Sequence, residues 1–292
     1  MKKKSSLKHT GAFWAFCAPC CILFGVFFLV PLVLSIAFSF TNYDGWKTMD
    51  FVGLKNYITL FKDSKFYLSL GRTLLYTVCT LPFRVIIPLL VAVLLCSRRV
   101  VAKSLTRTMV YIPVLMSALV VGITINWMFS QEYGLVNFII RSLGGTALEW
   151  SLNPRLATFV IAFASVWASI GFNMILYIGG INSISNDLYE AATIDGASSV
   201  QAFFRITVPM LAPTTFMVVL LSTVNLLKEY ALVQGITQGG PGLSTTFIIQ
   251  YIFDKGFNQM QYGYASAIST VVMIIFALIA FAQFKVNNGG ET

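Results

Sequence analysis

Six apolar runs, each about 20 residues or more and so long enough to cross a bilayer's hydrocarbon core as a helix, leave this chain little else to fold with. They cover residues 13–40, 73–96, 109–129, 156–180, 214–235 and 265–284. With 57% hydrophobic and 11% charged residues over 292 positions, the composition excludes an ordinary soluble domain. The predicted fold class is all-α: a polytopic membrane protein of six transmembrane helices, filling residues 13–285 between a basic tail (1–12) and a short second tail (286–292).

The first run carries Pro19 and Pro31 and is longer than a perpendicular helix requires, with Trp14 placed as an interfacial anchor. MKKKSSLK followed by apolar residues also has the outline of a secretory signal. The run is about twice the length of a signal's apolar core and no A-x-A site closes it, so it is read as an uncleaved first span. Lysine and arginine density sets the expected orientation. With the N-terminus in the cytoplasm, Lys2, Lys3, Lys4 and Lys8 lie inside, joined after two crossings by Arg98, Arg99, Lys103 and Arg107. The longer loops 41–72, 130–155 and 236–264 then fall outside, and both termini are cytoplasmic. The net charge of +9 matches basic residues beside spans facing an anionic leaflet and calls for no nucleic acid.

Familiar catalytic and metal chemistry is missing. Cys17, Cys20, Cys21, Cys79 and Cys96 sit in or at the ends of spans, and His9 is the single histidine, so no Cys/His set completes a metal site. G-x-x-x-x-G-K-[ST], G-x-S-x-G and H-E-x-x-H are all absent. The chain predicts no catalytic residue, no metal and no cofactor of its own. Whatever energy drives it has to come from elsewhere.

Charges within the spans are expensive unless paired or facing water. Arg84 in span two reads either as a guanidinium bonded to a neighbouring helix or as part of a pathway. In span five Lys228 and Glu229 stand beside Asn225, Tyr230 and Gln234, too many polar groups for a helix facing lipid all round. This span is therefore expected to line a seam or cavity for a polar solute. Trp167 and Asn173 in span four join the candidates, although their six-residue spacing puts only one of them on the inward face. Aromatic rings beside amides suit sugars, and equally suit packing between helices.

The stretch NDLYEAATIDGASSVQAFFRITVP (186–209) is polar in an apolar chain. Asp187-x-x-Glu190 and Ser198-x-x-Gln201 have capping-box spacing and predict two short helices turned at Gly196. Val200, Phe203, Phe204 and Thr207 recur at helical spacing and predict one apolar face, with Pro209 and Pro213 ending the helix and starting span five. Small residues (Ala191, Ala192, Gly196, Ala197) permit close approach. The pair either packs under its own bundle or docks a cytoplasmic partner.

This stretch resembles the EAA loop of permease subunits of binding-protein-dependent ABC importers. Glu190, Ala191, Ala192, Gly196, Ile206 and Pro209 match E-A-A…G…I-x-L-P, Asp195 and Ala197 match its DGA form, and Val208 replaces the usual leucine. FVGLKNYITLFKD (51–63), WMFSQEYGLVNFIIRSLG (127–144), ITQGGPGLSTTFIIQYIFDKGF (236–257) and YGYASAIS (262–269) are similar to blocks of the sugar permeases, on the branch of the maltose and glycerol-3-phosphate permeases. The resemblance implies a second related permease, two cytoplasmic ATP-binding subunits that carry ATP and Mg, and an extracytoplasmic sugar-binding protein. It implies ATPase contact through Glu190, Ala191, Ala192, Asp195, Gly196, Ala197, Phe203 and Phe204, and binding-protein contact through Gly239, Gly240 and Pro241. An ion-coupled transporter or channel would also have six spans, but Glu229 is the only carboxylate within them. A membrane enzyme would need a catalytic pair that the sequence does not offer.

Overall fold

The computed structural model describes residues 5–46, 49–97 and 102–288, with residues 5–12 and 287–288 described as backbone alone. Lys2, Lys3, Lys4, Arg98 and Arg99, which carry part of the expected orientation, lie outside the described residues, as do residues 289–292 of the second tail and the side chains of Lys8 and His9. The described residues are helical, with one isolated antiparallel bridge between Thr41 and Phe51.

The helices are α1 (Ser5–Phe24), α2 (Val30–Phe38), α3 (Lys55–Lys62), α4 (Ser64–Cys96), α5 (Lys103–Leu115), α6 (Ala118–Met128), α7 (Leu135–Ser142), α8 (Pro154–Asn182), α9 (Asn186–Ile194), α10 (Ser199–Ala202), α11 (Val208–Met210), α12 (Ala212–Leu227), α13 (Ala231–Ile236), α14 (Ile248–Phe253) and α15 (Tyr262–Asn288). Two compact units emerge, residues 1–64 with 252–275, and residues 65–251 with 276–292.

In the first unit α1 runs through a π-turn at Gly25–Leu29 into α2. The chain then folds back: the Asn56 amide donates to the Ser39 and Thr41 carbonyls, both at 2.8 Å, and the Tyr264 hydroxyl donates to Asp63 at 2.7 Å. The loop 41–63 thus carries a helix and a set of side-chain ties, although the sequence marks it only as a loop.

The second unit is organised around α8. Asn153 caps it by accepting from the Arg155 and Leu156 amides, and Pro154 occupies the first turn, where its missing N–H costs nothing. One end of α8 packs Val160, Ile161 and Ala164 against Tyr76 of α4, Val121 and Ile125 of α6, and Leu232 and Val233 of α13. The other end packs Met174, Tyr177 and Ile178 against Ala92 and Leu95 of α4 and Val218 of α12. Successive contacts run in the same direction along both chains, so α4 and α8 are parallel.

Among the described residues, four helical stretches are long and apolar enough to cross a membrane, and the count reaches six when two bent pairs are taken as spans. Two of the six runs are not continuous helices. The run 109–129 is broken: α5 and α6 meet at 100°, with Met116 and Ser117 extended between them. The run 214–235 is broken too, because α12 ends at Leu227 and α13 starts only at Ala231. Hydropathy records the length of an apolar run and is blind to backbone dihedrals, so both breaks escape it.

The crossing of α6 and α13 is very close. A Cβ on Gly235 would stand 2.7 Å from the Leu119 carbonyl and 2.9 Å from Gly122 Cα, and one on Gly122 would meet the Leu232 carbonyl at 2.9 Å. Backbone touches backbone, as small residues allow between membrane helices. Gly235→Val therefore forces the two helices apart and is expected to cost about 1–3 kcal/mol, read as a lowered unfolding temperature of the purified protein. An unchanged temperature would show that the crossing yields freely.

Candidate functional site

The first candidate lies where α12 gives way to α13. Lys228 caps the end of α12, Glu229 follows, and Tyr230 takes a non-helical conformation (φ −138°, ψ −53°) before α13 begins. Lys228 and Glu229 therefore do not fan out from one regular helix, as their spacing alone predicts. Lys228 and Asn225 are exposed, Tyr230 and Gln234 are half-buried, and Glu229 is 9% exposed. Gln234 accepts a 3.1 Å hydrogen bond from Gln250.

Glu229 meets Arg84, an intramembrane charge of opposite sign. Arg84, 7% exposed on α4, donates through Nε and Nη2 to the Ser165 carbonyl on α8 at 3.2 and 3.1 Å. The Ser165 hydroxyl donates in turn to the Glu229 carboxylate at 3.4 Å. Asn173 closes the group, its amide donating to the Arg84 carbonyl at 2.9 Å and to the Ser222 hydroxyl at 3.2 Å. Tyr76, also buried, lies within electrostatic reach of both charges. Opposite charges sharing one serine offset much of each other's desolvation cost. Of the two readings open for Arg84, the structure shows a guanidinium bonded to a neighbouring helix. Trp167 packs half-buried against the α8 core cluster, and it is Asn173 that reaches the polar group.

Sequence reasoning passed over Ser165, Ser222, Tyr76 and Thr80. A signal for several of them exists: Thr73, Thr77, Thr80 and Arg84 recur at heptad-like spacing along α4 and are all buried, and Ser222 stands seven residues before Glu229.

The second candidate is the polar pair α9 and α10. Ser185, and not Asp187, caps α9 by accepting from the Asp187 amide, since the chain enters the helix two residues earlier than the capping-box spacing predicts. The Ser198–Gln201 box is present in full, with Ser198 N–H donating to Gln201 Oε1 at 2.8 Å and Gln201 N–H to Ser198 Oγ at 3.3 Å. Gly196 turns the chain with φ +78°, a region that costs any side chain.

Pro209 does not end the second helix. A π-turn at Phe203–Thr207 carries it through Pro209 to Met210, and a 66° bend at Leu211 leads into α12. The four residues of the expected apolar face differ in burial: Thr207 is buried, Phe203 half-buried, and Val200 and Phe204 are 66% and 64% exposed, with the wider turn shifting the register of the residues that follow it. Glu190, Ala191, Asp195 and Gly196 are exposed, and Ala192 and Ala197 are half-buried beside a concavity of about 340 Å³.

The third candidate, the loop holding Gly239, Gly240 and Pro241, is tied to itself. Thr245 Oγ1 donates to the Gly240 carbonyl at 2.6 Å, Thr246 Oγ1 to the Gly239 carbonyl at 3.3 Å, and the Thr237 and Thr245 hydroxyls are 2.7 Å apart. Gly239 is buried, Gly240 and Pro241 are half-buried, and Gly242 and Leu243 form the exposed tip.

Comparison with known proteins agrees with this geometry. Residues 57–288 match the family described as binding-protein-dependent transport system inner membrane component. The chain is 32% identical to the arabinooligosaccharides transport system permease protein AraP of Bacillus subtilis (strain 168), over 94% of this chain and 88% of that one. It is also 32% identical to the lactose transport system permease protein LacF of Rhizobium radiobacter, over 93% and 92% of the two chains. In fold it is similar to a chain in the crystal structure of a bacterial ABC transporter involved in the import of the acidic polysaccharide alginate, with a TM-score of 0.83 at 23% identity, covering 97% of each chain. Membrane-crossing helices, a polar helix pair inserted between two of them and a match over most of the chain lead to one assignment: the protein belongs to the family of inner-membrane components of binding-protein-dependent transport systems.

Proposed function

We infer that this chain is one of two permease subunits of an ABC importer for a sugar or oligosaccharide. It is a transport subunit and not an enzyme. ATP and Mg are bound on two separate ATPase subunits, and an extracytoplasmic binding protein delivers the solute. The observation that carries this reading is the α9–α10 pair: capped, turned at Gly196, bearing the E-A-A…D-G-A pattern, and exposing Ile194, Val200 and Phe204 to a partner. AraP and LacF, named for an arabinooligosaccharide and a lactose system, support the sugar class.

In this mechanism the ATPase grips Glu190, Ala191, Ala192, Asp195, Gly196, Ala197, Phe203 and Phe204. Closure of the ATPase pair on ATP moves α9 and α10 as a lever, and α8 and α12, continuous with them in the chain, carry the motion into the membrane. The pair lies on the cytoplasmic side, as do both termini. Lys103 and Arg107 follow the end of α4, which parallel α4 and α8 bring to the same side as α9, in line with the bias of basic residues toward the cytoplasm. The solute passes Asn225, Lys228, Tyr230 and Gln234 at the α12–α13 break, with Trp167 beside it. Glu229 and Asn173 hold that break from behind. Gly239, Gly240 and Pro241 support an exposed tip at Gly242 and Leu243 that meets the binding protein.

Reconstitution into liposomes with the partner subunits tests the reading. Uptake of a labelled oligosaccharide is expected to require both ATP and the binding protein. Lys228→Ala and Gln234→Ala are expected to alter its KM or rate; kinetics unaltered in both variants would remove these side chains from the path. Uptake driven by an ion gradient without ATP would overturn the importer assignment itself.

A further inference from the structure

A groove of about 480 Å³ runs along the second unit between α4 and α8, well separated along both helices from α9 and α10. Leu75, Cys79, Phe83 and Ile87 form one wall at every fourth position of α4, and Phe159 and Phe163 of α8 form the other. Most of these side chains are exposed. The two helices are parallel, so the groove has a defined head: Arg72 and Arg155 line it together, each one residue outside the apolar run of its helix. The Arg72 guanidinium is pinned there by donating to the Leu243 carbonyl. Arg155 makes no side-chain hydrogen bond to the described residues. Two positive charges thus stand at the start of two apolar runs, lining the same apolar trough.

We propose that this groove holds an acyl chain of an anionic phospholipid whose headgroup rests on Arg72 and Arg155. The charge distribution decides for this occupant. An apolar helix from another protein laid in the trough would cover both guanidinium groups without offering an acceptor, leaving each charge uncompensated. A phospholipid phosphate accepts from both groups while its chain covers Leu75, Phe83 and Phe159. Arginine at a membrane boundary already favours anionic lipid over zwitterionic by charge alone, and the trough adds a fixed place for the tail. The proposal rests only on α4 and α8 crossing the membrane and is independent of the transported solute.

The test uses the assembled transporter, purified from membranes and exchanged into nanodiscs of phosphatidylglycerol and phosphatidylcholine in equal amounts. Native mass spectrometry after release into detergent reads the lipid that stays bound. Retained phosphatidylglycerol is expected to exceed phosphatidylcholine by roughly tenfold or more, as two boundary arginines imply. Arg155→Gln, at an exposed position without an internal bond, is expected to remove most of that preference, and Arg155→Lys to keep it. Arg72→Gln with Arg155→Gln is expected to abolish it. Equal retention of the two lipids, or an unchanged preference in Arg155→Gln, overturns the proposal.

Cys79 inside the groove supplies a second reading in a variant lacking the other four cysteines. A maleimide carried on a phospholipid tail is expected to label it in the intact complex. Failure to label, together with a disulfide to an engineered cysteine on the second permease, would assign the groove to a protein interface instead.

Discussion

Replacing Glu229 by leucine is expected to cost the folded protein about 3–5 kcal/mol, and replacing Arg84 by methionine in the same chain to recover most of it. Arg84 is buried among α4, α8 and the α12–α13 break, and Glu229 is the opposite charge in reach of it. Leucine at 229 leaves a guanidinium buried without a counter-charge, and the Ser165 hydroxyl without its acceptor. Methionine at 84 removes the exposed problem by removing the charge, keeping a flexible apolar stem to fill the space. The unfolding temperatures of the two single variants and the double variant form a double-mutant cycle. A coupling of more than about 1 kcal/mol is expected for groups joined through one serine. Strictly additive losses would mean that Arg84 and Glu229 answer to different partners.

Gly196→Pro and Glu190→Lys are expected to abolish ATP-driven uptake while leaving the protein in the membrane. Proline requires φ near −65°, and the turn at Gly196 stands at +78°, so α9 and α10 cannot keep their mutual orientation in the first variant. The effect stays local because nothing lies within 4 Å of where a Cβ on Gly196 would sit. Gly196→Ala separates shape from space: it meets no neighbour and pays only the left-handed conformation, about 1–2 kcal/mol. It should therefore retain part of the uptake. Glu190 is exposed, so Glu190→Lys reverses a charge at the proposed ATPase surface without disturbing a core. Full solute-stimulated ATP hydrolysis in both Gly196→Pro and Glu190→Lys would remove the pair from the coupling role.

How much of this was legible in the residues depends on the range of the forces involved. The Ser198–Gln201 box and the turn at Gly196 are local matters, governed by side-chain chemistry and backbone freedom within a few positions, and each stands in the structure where the sequence puts it. The cap of α9 shifted by two residues, from Asp187 to Ser185, because both residues can cap and the path of the incoming chain selects between them. Val200 and Phe204 were expected on one apolar face; both are exposed, and Phe204 falls inside a π-turn that no residue pattern announces.

Sequence alone determined that this chain is a membrane protein built of helices and that its polar insert is a pair of short helices turned at Gly196. These follow from composition and from interactions spanning one or two helical turns. Tertiary structure alone decided that Arg84 and Glu229 meet through Ser165 although 145 positions separate them. It also decided that two apolar runs break, and that Arg72 and Arg155 share one groove. The reason is physical: a buried charge constrains only that some partner be present, and which helix supplies it is settled by packing, where Gly122 and Gly235 let two backbones touch.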